Sequence, residues 1–127
     1  MLKRCLSMAL VAVAALAFVA ATPAVQETVT KTGEIGEHAC ASEGRMGDGH
    51  AGCAKRCIER GGDVVLIMGD PGALTLLVLA PNPDDDAAYA SLGDHAGHVM
   101  NVTGYESQDE EGHTIFVVTA AEMAATD

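Results

Sequence analysis

The chain has 127 residues and carries eighteen acidic side chains against seven basic ones, a net charge of −11; this length suits one domain and hardly two. Such a field repels phosphate backbones and anionic lipid headgroups. With no tryptophan, two tyrosines and two phenylalanines, there are few platforms on which bases could stack, so the composition argues against a nucleic-acid partner.

Met1-Leu2-Lys3-Arg4 is followed by an almost wholly apolar run from Leu6 to Ala21 and by Thr22-Pro23-Ala24. A basic start, an apolar stretch and small residues after it describe a secretory signal peptide over residues 1–24. The apolar run, about 16 residues, is shorter than the ~20 that span a bilayer; an uncleaved N-terminal anchor is the rival reading. Cleavage after Ala24 leaves residues 25–127 as a single exported domain, periplasmic or secreted, with no stable membrane anchor. That mature chain keeps five basic residues against eighteen acidic ones, which reads as a solvated, soluble surface.

Thr28 to Ile35 is dense in β-branched residues and predicts a first strand, with bends suggested at Gly33 and Gly36. The strand is expected to deliver His38 and Cys40 near its end. A glycine-rich loop over 41–49 leads to a short helix from about Gly49 to Arg60, with Asp48 as its N-cap and Gly61-Gly62 as its stop. Two apolar runs, 63–68 and 73–80, flank Gly69-Asp70-Pro71-Gly72 and predict a β-hairpin. Asp84-Asp85-Asp86 heads a second short helix that Gly93 closes; no 12-residue ligand pattern follows to make it a calcium loop. His98 to Tyr105 and His113 to Ala120 complete the strands, with an acidic turn between them. Five strands with one short helix between strands 1 and 2, and another between strands 3 and 4, is the order of a mainly β, five-stranded OB-like barrel. A small open α+β sheet is the alternative.

Three segments carry a resemblance to a known group. Gly33-Glu34-Ile35 runs into Cys40; His50-Ala51-Gly52-Cys53-Ala54-Lys55-Arg56-Cys57 follows, ahead of Gly61-Gly62; and His95-Ala96-Gly97-His98-Val99-Met100-Asn101-Val102-Thr103-Gly104 enters a later strand. Together they resemble the small exported, largely uncharacterised bacterial proteins with an OB-like fold. That resemblance covers most of the mature chain and implies the fold; the group has no settled activity to carry over.

The chemistry gathers in residues 38–57, which hold Cys40, Cys53, Cys57, His38 and His50. On a helix, His50, Cys53 and Cys57 fall within an arc of about 60° and project the same way, while Ala51, Ala54 and Ile58 share an apolar face. Three cysteines in an exported chain is an odd count, so one disulfide leaves a sulfur over. Cys53 and Cys57 resist bridging each other, because residues four apart on a helix hold their Cβ atoms ~5–6 Å apart and a disulfide wants ~3.5–4.5 Å.

Cys40, Cys53 and Cys57 with His50 as the fourth ligand, or His38 in its place, form a donor set suited to Cu(I) or Zn(II). The competing reading is a disulfide staple from Cys40 to one helix cysteine, in an interaction domain whose barrel face meets a protein partner. Redox chemistry is a third reading, supported by Arg45, Lys55, Arg56 and Arg60 beside the thiols, although Cys-x-x-x-Cys is not the thioredoxin-type Cys-x-x-Cys. His95 and His98, with Met100 beyond, form a second candidate metal pair.

Nothing in the sequence has the form of an enzyme site. There is no nucleophile elbow, phosphate loop or His-Glu-x-x-His. Ser42, Ser91 and Ser107 lack an evident base, and the acidic runs read as turns. The sequence therefore predicts a non-enzymatic binding or accessory protein.

Overall fold

A computed structural model describes residues 26–125; the signal-peptide reading of residues 1–24 lies outside them. The chain is mainly β. Its strands are β1 (Val29–Glu37), β2 (Val64–Asp70), β3 (Ala73–Pro81), β4 (Val99–Gln108) and β5 (Thr114–Met123). They pair in a closed ring in the order β1-β2-β3-β5-β4. All neighbours are antiparallel except β3 and β5, whose parallel contact runs from Leu79↔Phe116 to Pro81↔Val118.

The ring closes because every strand has two neighbours, and β1 divides its length between them. β1 pairs with β4 through Val29–Glu34 and with β2 through Glu34–Glu37. The crossing lies at Gly33-Glu34, where the sequence suggests a bend. The register shift in the β4–β5 pairing is instead at Thr103/Gly104. A side chain at Gly104 would run into the Val117 carbonyl, so the bulge needs glycine there. The expected hairpin over 63–80 forms, from Val65↔Val78 to Asp70↔Ala73, with Pro71-Gly72 at its tip.

Inside the ring lie Ile35, Val64, Leu66, Leu79, Leu92, Met100, Val102, Phe116 and Val118. β2 is apolar without alternation because both of its faces are covered. Val64 and Leu66 face this core, while Val65 and Ile67 join a second cluster with Ala41, which Met46, Leu76 and Val78 pack against. That outer cluster seats the segment that carries Cys40.

The helices are short and only partly where the sequence predicts them. Cys40 does not end a strand: β1 stops at Glu37, and Cys40 lies on α1 (His38–Ser42). The single helix expected from about Gly49 begins later. A 3-10 turn over Asp48–His50 precedes α2 (Ala51–Glu59), so His50 rather than Asp48 stands at the N-cap position of α2, where its side chain makes no capping hydrogen bond. The reason is local: Gly47 has φ of +81°, and the His50 N–H bonds back to the Gly47 carbonyl at 3.0 Å, which tightens the first turn before the α-helix starts.

Between β3 and β4 the second helix is α3 (Ala87–Ala90), continued by a 3-10 turn over Leu92–His95. Both acidic runs behave as turn formers. Asp85 accepts from the Ala87 N–H at 3.0 Å, and Asp109 accepts from the N–H groups of Glu111 and His113 at 2.9 and 2.8 Å. Among the described residues no helix is long and apolar enough to cross a membrane.

Candidate metal centre

β1 leads directly into the site. Glu37 is still extended, with φ −112° and ψ 141°, and its carboxylate accepts from the Cys40 N–H at 2.9 Å, capping α1. The His38 N–H continues the sheet by bonding to the Asp63 carbonyl at 2.9 Å. One turn of helix then turns Cys40 and Ala41 inward, both 5% exposed. Beyond α1, the Arg45 N–H returns to the Cys40 carbonyl at 2.9 Å, and the Gly47 N–H reaches the Glu34 carboxylate at 3.0 Å. Cys40 is thus held through its own N–H by the Glu37 carboxylate and through its carbonyl by the Arg45 N–H.

α2 brings the other two sulfurs. Its apolar face forms as the spacing predicts, with Ala54 buried and Ile58 packed against the main core. Cys53 and Cys57 are half-buried beside that face. The helix ends where Gly61, with φ of +96°, reverses the chain, and the N–H of Gly62 bonds to the Cys57 carbonyl at 2.9 Å. Gly62 also makes room for Glu37: a Cβ there would sit 2.8 Å from the Glu37 side chain and 2.8 Å from the Cys57 carbonyl oxygen. A buried carboxylate, the end of α2 and the start of α1 therefore meet at one point.

The three sulfurs lie within 4.8 Å of one another, and Cys40 Sγ is 3.8 Å from Cys57 Sγ. All three cysteines are free. With metal–sulfur bonds of about 2.3 Å, tetrahedral geometry sets ligand sulfurs about 3.8 Å apart. The cluster is therefore spaced to hold a soft metal ion. It is the only group of three or more such donors among the described residues. His50 is not part of it; it sits exposed at the cap of α2, one turn before Cys53. His38 lines a separate cleft with Asp63, Tyr89, Asp109 and His113. The second candidate pair is not joined by its sulfur: His95 and His98 have ring centroids 6.0 Å apart, but Met100 is 2% exposed inside the ring.

Charge is arranged unevenly around the cluster. Burial pushes the Cys40 thiol up to about 12, helped by hydrogen bonding to the Glu37 carboxylate and to the thiols of Cys57 and Cys53. The metal-free site consequently holds a proton on Cys40, which a bound metal must displace. Of the nearby basic residues, Lys55 pairs with Asp94 at 3.1 Å and Arg45 with Glu43 at 3.3 Å. Both pairs are exposed and contribute little to stability.

Sequence reasoning missed Glu37. The only trace of it is its position three residues before Cys40, the spacing of a capping side chain. Burial opposes its charge, but the N–H groups of Cys40 and Ala39, then the Cys40 thiol and His38, outweigh that and hold its carboxyl below the usual 4.5. A depressed carboxyl contributes stability above its unfolded pKa, and that stability is lost as pH falls through the folded value. The Glu37→Gln protein should therefore be less stable than the parent at neutral pH. The gap should narrow as pH drops below about 4.5, in urea melts of the reduced, metal-free proteins at a series of pH values. A gap that widens on acidification would contradict this role.

No protein-family model matches the chain, and no curated protein matches it.

Proposed function

We propose that this chain is an exported, non-enzymatic binding or accessory protein that holds one soft metal ion, Cu(I) or Zn(II), on an OB-like barrel. Cys40, Cys53 and Cys57 are the sulfur ligands, and His50, by rotation of its exposed side chain, supplies the fourth position. The observation that carries this reading is the convergence of three sulfurs from two helices at metal-ligand spacing. The OB-like assignment is supported by the ring order with its single parallel pairing of β3 and β5, and export by the apolar N-terminal segment. A surface with net negative charge raises the local concentration of cations.

The alternative is a structural interaction domain, stapled by one disulfide and free of metal. It rests on the 3.8 Å separation of Cys40 and Cys57. Intact mass after thiol alkylation separates the two. Protein purified without added metal or reductant should show three thiols protected together until a chelator is added. One reactive thiol and one reductant-sensitive bridge, whatever the chelator, would favour the staple instead.

A further inference from the structure

The sulfurs are not equivalent. Cys40 is buried, whereas Cys53 and Cys57 are half-buried. Cys40 touches Cys57 across the gap between α1 and α2, whereas Cys53 and Cys57 are held apart as an i, i+4 pair on one helix. A buried sulfur in contact with a more accessible one is the layout of a dithiol that reacts in two steps: the accessible sulfur takes the first attack, and the buried one resolves it. From this layout we infer that Cys40 and Cys57 form a redox pair, which a small disulfide converts into an intramolecular Cys40–Cys57 bridge while Cys53 stays a thiol. Because two of the three sulfur ligands are consumed, the same step expels a bound metal; this release rests on the metal reading above, but the pairing does not.

The chemistry balances as two exchanges. The Cys57 thiolate attacks one sulfur of the small disulfide, forming a mixed disulfide and releasing the first thiolate. Cys40, a thiolate once the metal has left or, in the metal-free protein, after giving its proton to solvent or to the released thiolate, then attacks Cys57 Sγ and releases the second thiolate. Two protein thiols give up two electrons, the small disulfide gains them and leaves as two thiols, and Zn(II) departs with its oxidation state unchanged.

Cys53 stays a thiol in the oxidised form, and reduction of the bridge returns all three sulfurs to the site. Cys57 lies one turn nearer the Gly61-Gly62 stop than Cys53, so it can shift toward Cys40 where the helix is ending and not in its middle.

The test uses oxidised glutathione as the disulfide and full mature protein, metal-free or loaded with Zn(II). Peptide mapping of the oxidised metal-free protein should find Cys40 linked to Cys57 and Cys53 open to alkylation. The Cys40→Ser protein should accumulate a mixed disulfide with glutathione on Cys57. The metal-free Cys53→Ser protein should close its bridge at about the parental rate, and the Cys57→Ser protein, which lacks the partner for that bridge, should consume Cys40 at least about tenfold more slowly. In the Zn(II)-loaded parent, a chromophoric chelator should register one equivalent of zinc released in step with the bridge. In the parent protein, a bridge from Cys53 to either partner, or no bridge at all, would overturn the pairing. Bridge formation with zinc retained would overturn the release step. Failure of the metal-free protein to take up zinc while it still bridges Cys40 to Cys57 would remove the metal reading and leave the redox pair standing.

Discussion

Cys57→Ser is expected to weaken metal binding by about 100-fold or more, a larger loss than the 10–100-fold typical when a residue supporting a ligand is changed. Serine keeps the size of the side chain but replaces a soft thiolate with a hard, poorly ionised oxygen. Cys57 is also the sulfur 3.8 Å from Cys40, so its loss leaves only two sulfurs, Cys40 and Cys53, to hold the ion. Cys53→Ser should have an effect of the same order. His95→Ala should leave affinity unchanged, because His95 lies outside the sulfur group. Competition against a chelator of known affinity measures all three. Loss of folding is the trivial explanation for a failed variant; Cys57 is half-buried and outside both apolar clusters, and circular dichroism of the metal-free variants excludes it when their spectra match the parent.

Phe116→Ala should cost the fold about 3–5 kcal/mol. Phe116 is the largest of the fully buried side chains, with 0% exposure. It sits where the ring closes: its backbone is opposite Leu79 of β3 on one side and Glu106 of β4 on the other. Truncation would leave a cavity at the seam where the only parallel pairing contributes three residue pairs, so relaxation there puts closure at risk. Domains of this size have about 5–15 kcal/mol to lose, and 1 kcal/mol moves the midpoint by about 4–8 °C. A fall in Tm of about 20 °C or complete unfolding is the expected result by thermal melting. Leu74→Ala, at an exposed position of β3, should stay within about 0.5 kcal/mol. Equal effects of the two would mean that Phe116 is not a core residue.

The strands were legible because their signals are local. The apolar runs at 63–68 and 73–80, split by Gly69-Asp70-Pro71-Gly72, mark a hairpin, and the hairpin forms. The face of α2 was legible for the same reason, since periodicity alone puts Cys53 beside Cys57. Placement of Cys40 was not. His38-Ala-Cys-Ala-Ser has no helical period long enough to read, and α1 exists because Glu37 caps it and the outer face of β2 buries Ala41. The first is a local contact three residues long and the second a tertiary one. The boundary between the 3-10 turn and α2 was hidden too, because Asp48 is a good N-cap by composition and only the Gly47 backbone moves the start to Ala51. The meeting of Cys40 with Cys57, seventeen residues apart, follows from the seating of α1 and could not be derived from either segment alone.

One measurement bears most directly on the proposed metal site: anaerobic titration of the reduced protein, residues 25–127, with Zn(II), and separately with Cu(I), against a competing chelator. One equivalent retained by the parent, with three thiols shielded from alkylation and release of protons that makes affinity rise with pH, is the expected result. Retention of no stoichiometric metal, or equal retention by the Cys53→Ser protein, would mean that the three sulfurs are gathered for another purpose, and the disulfide staple would take the place of the metal centre.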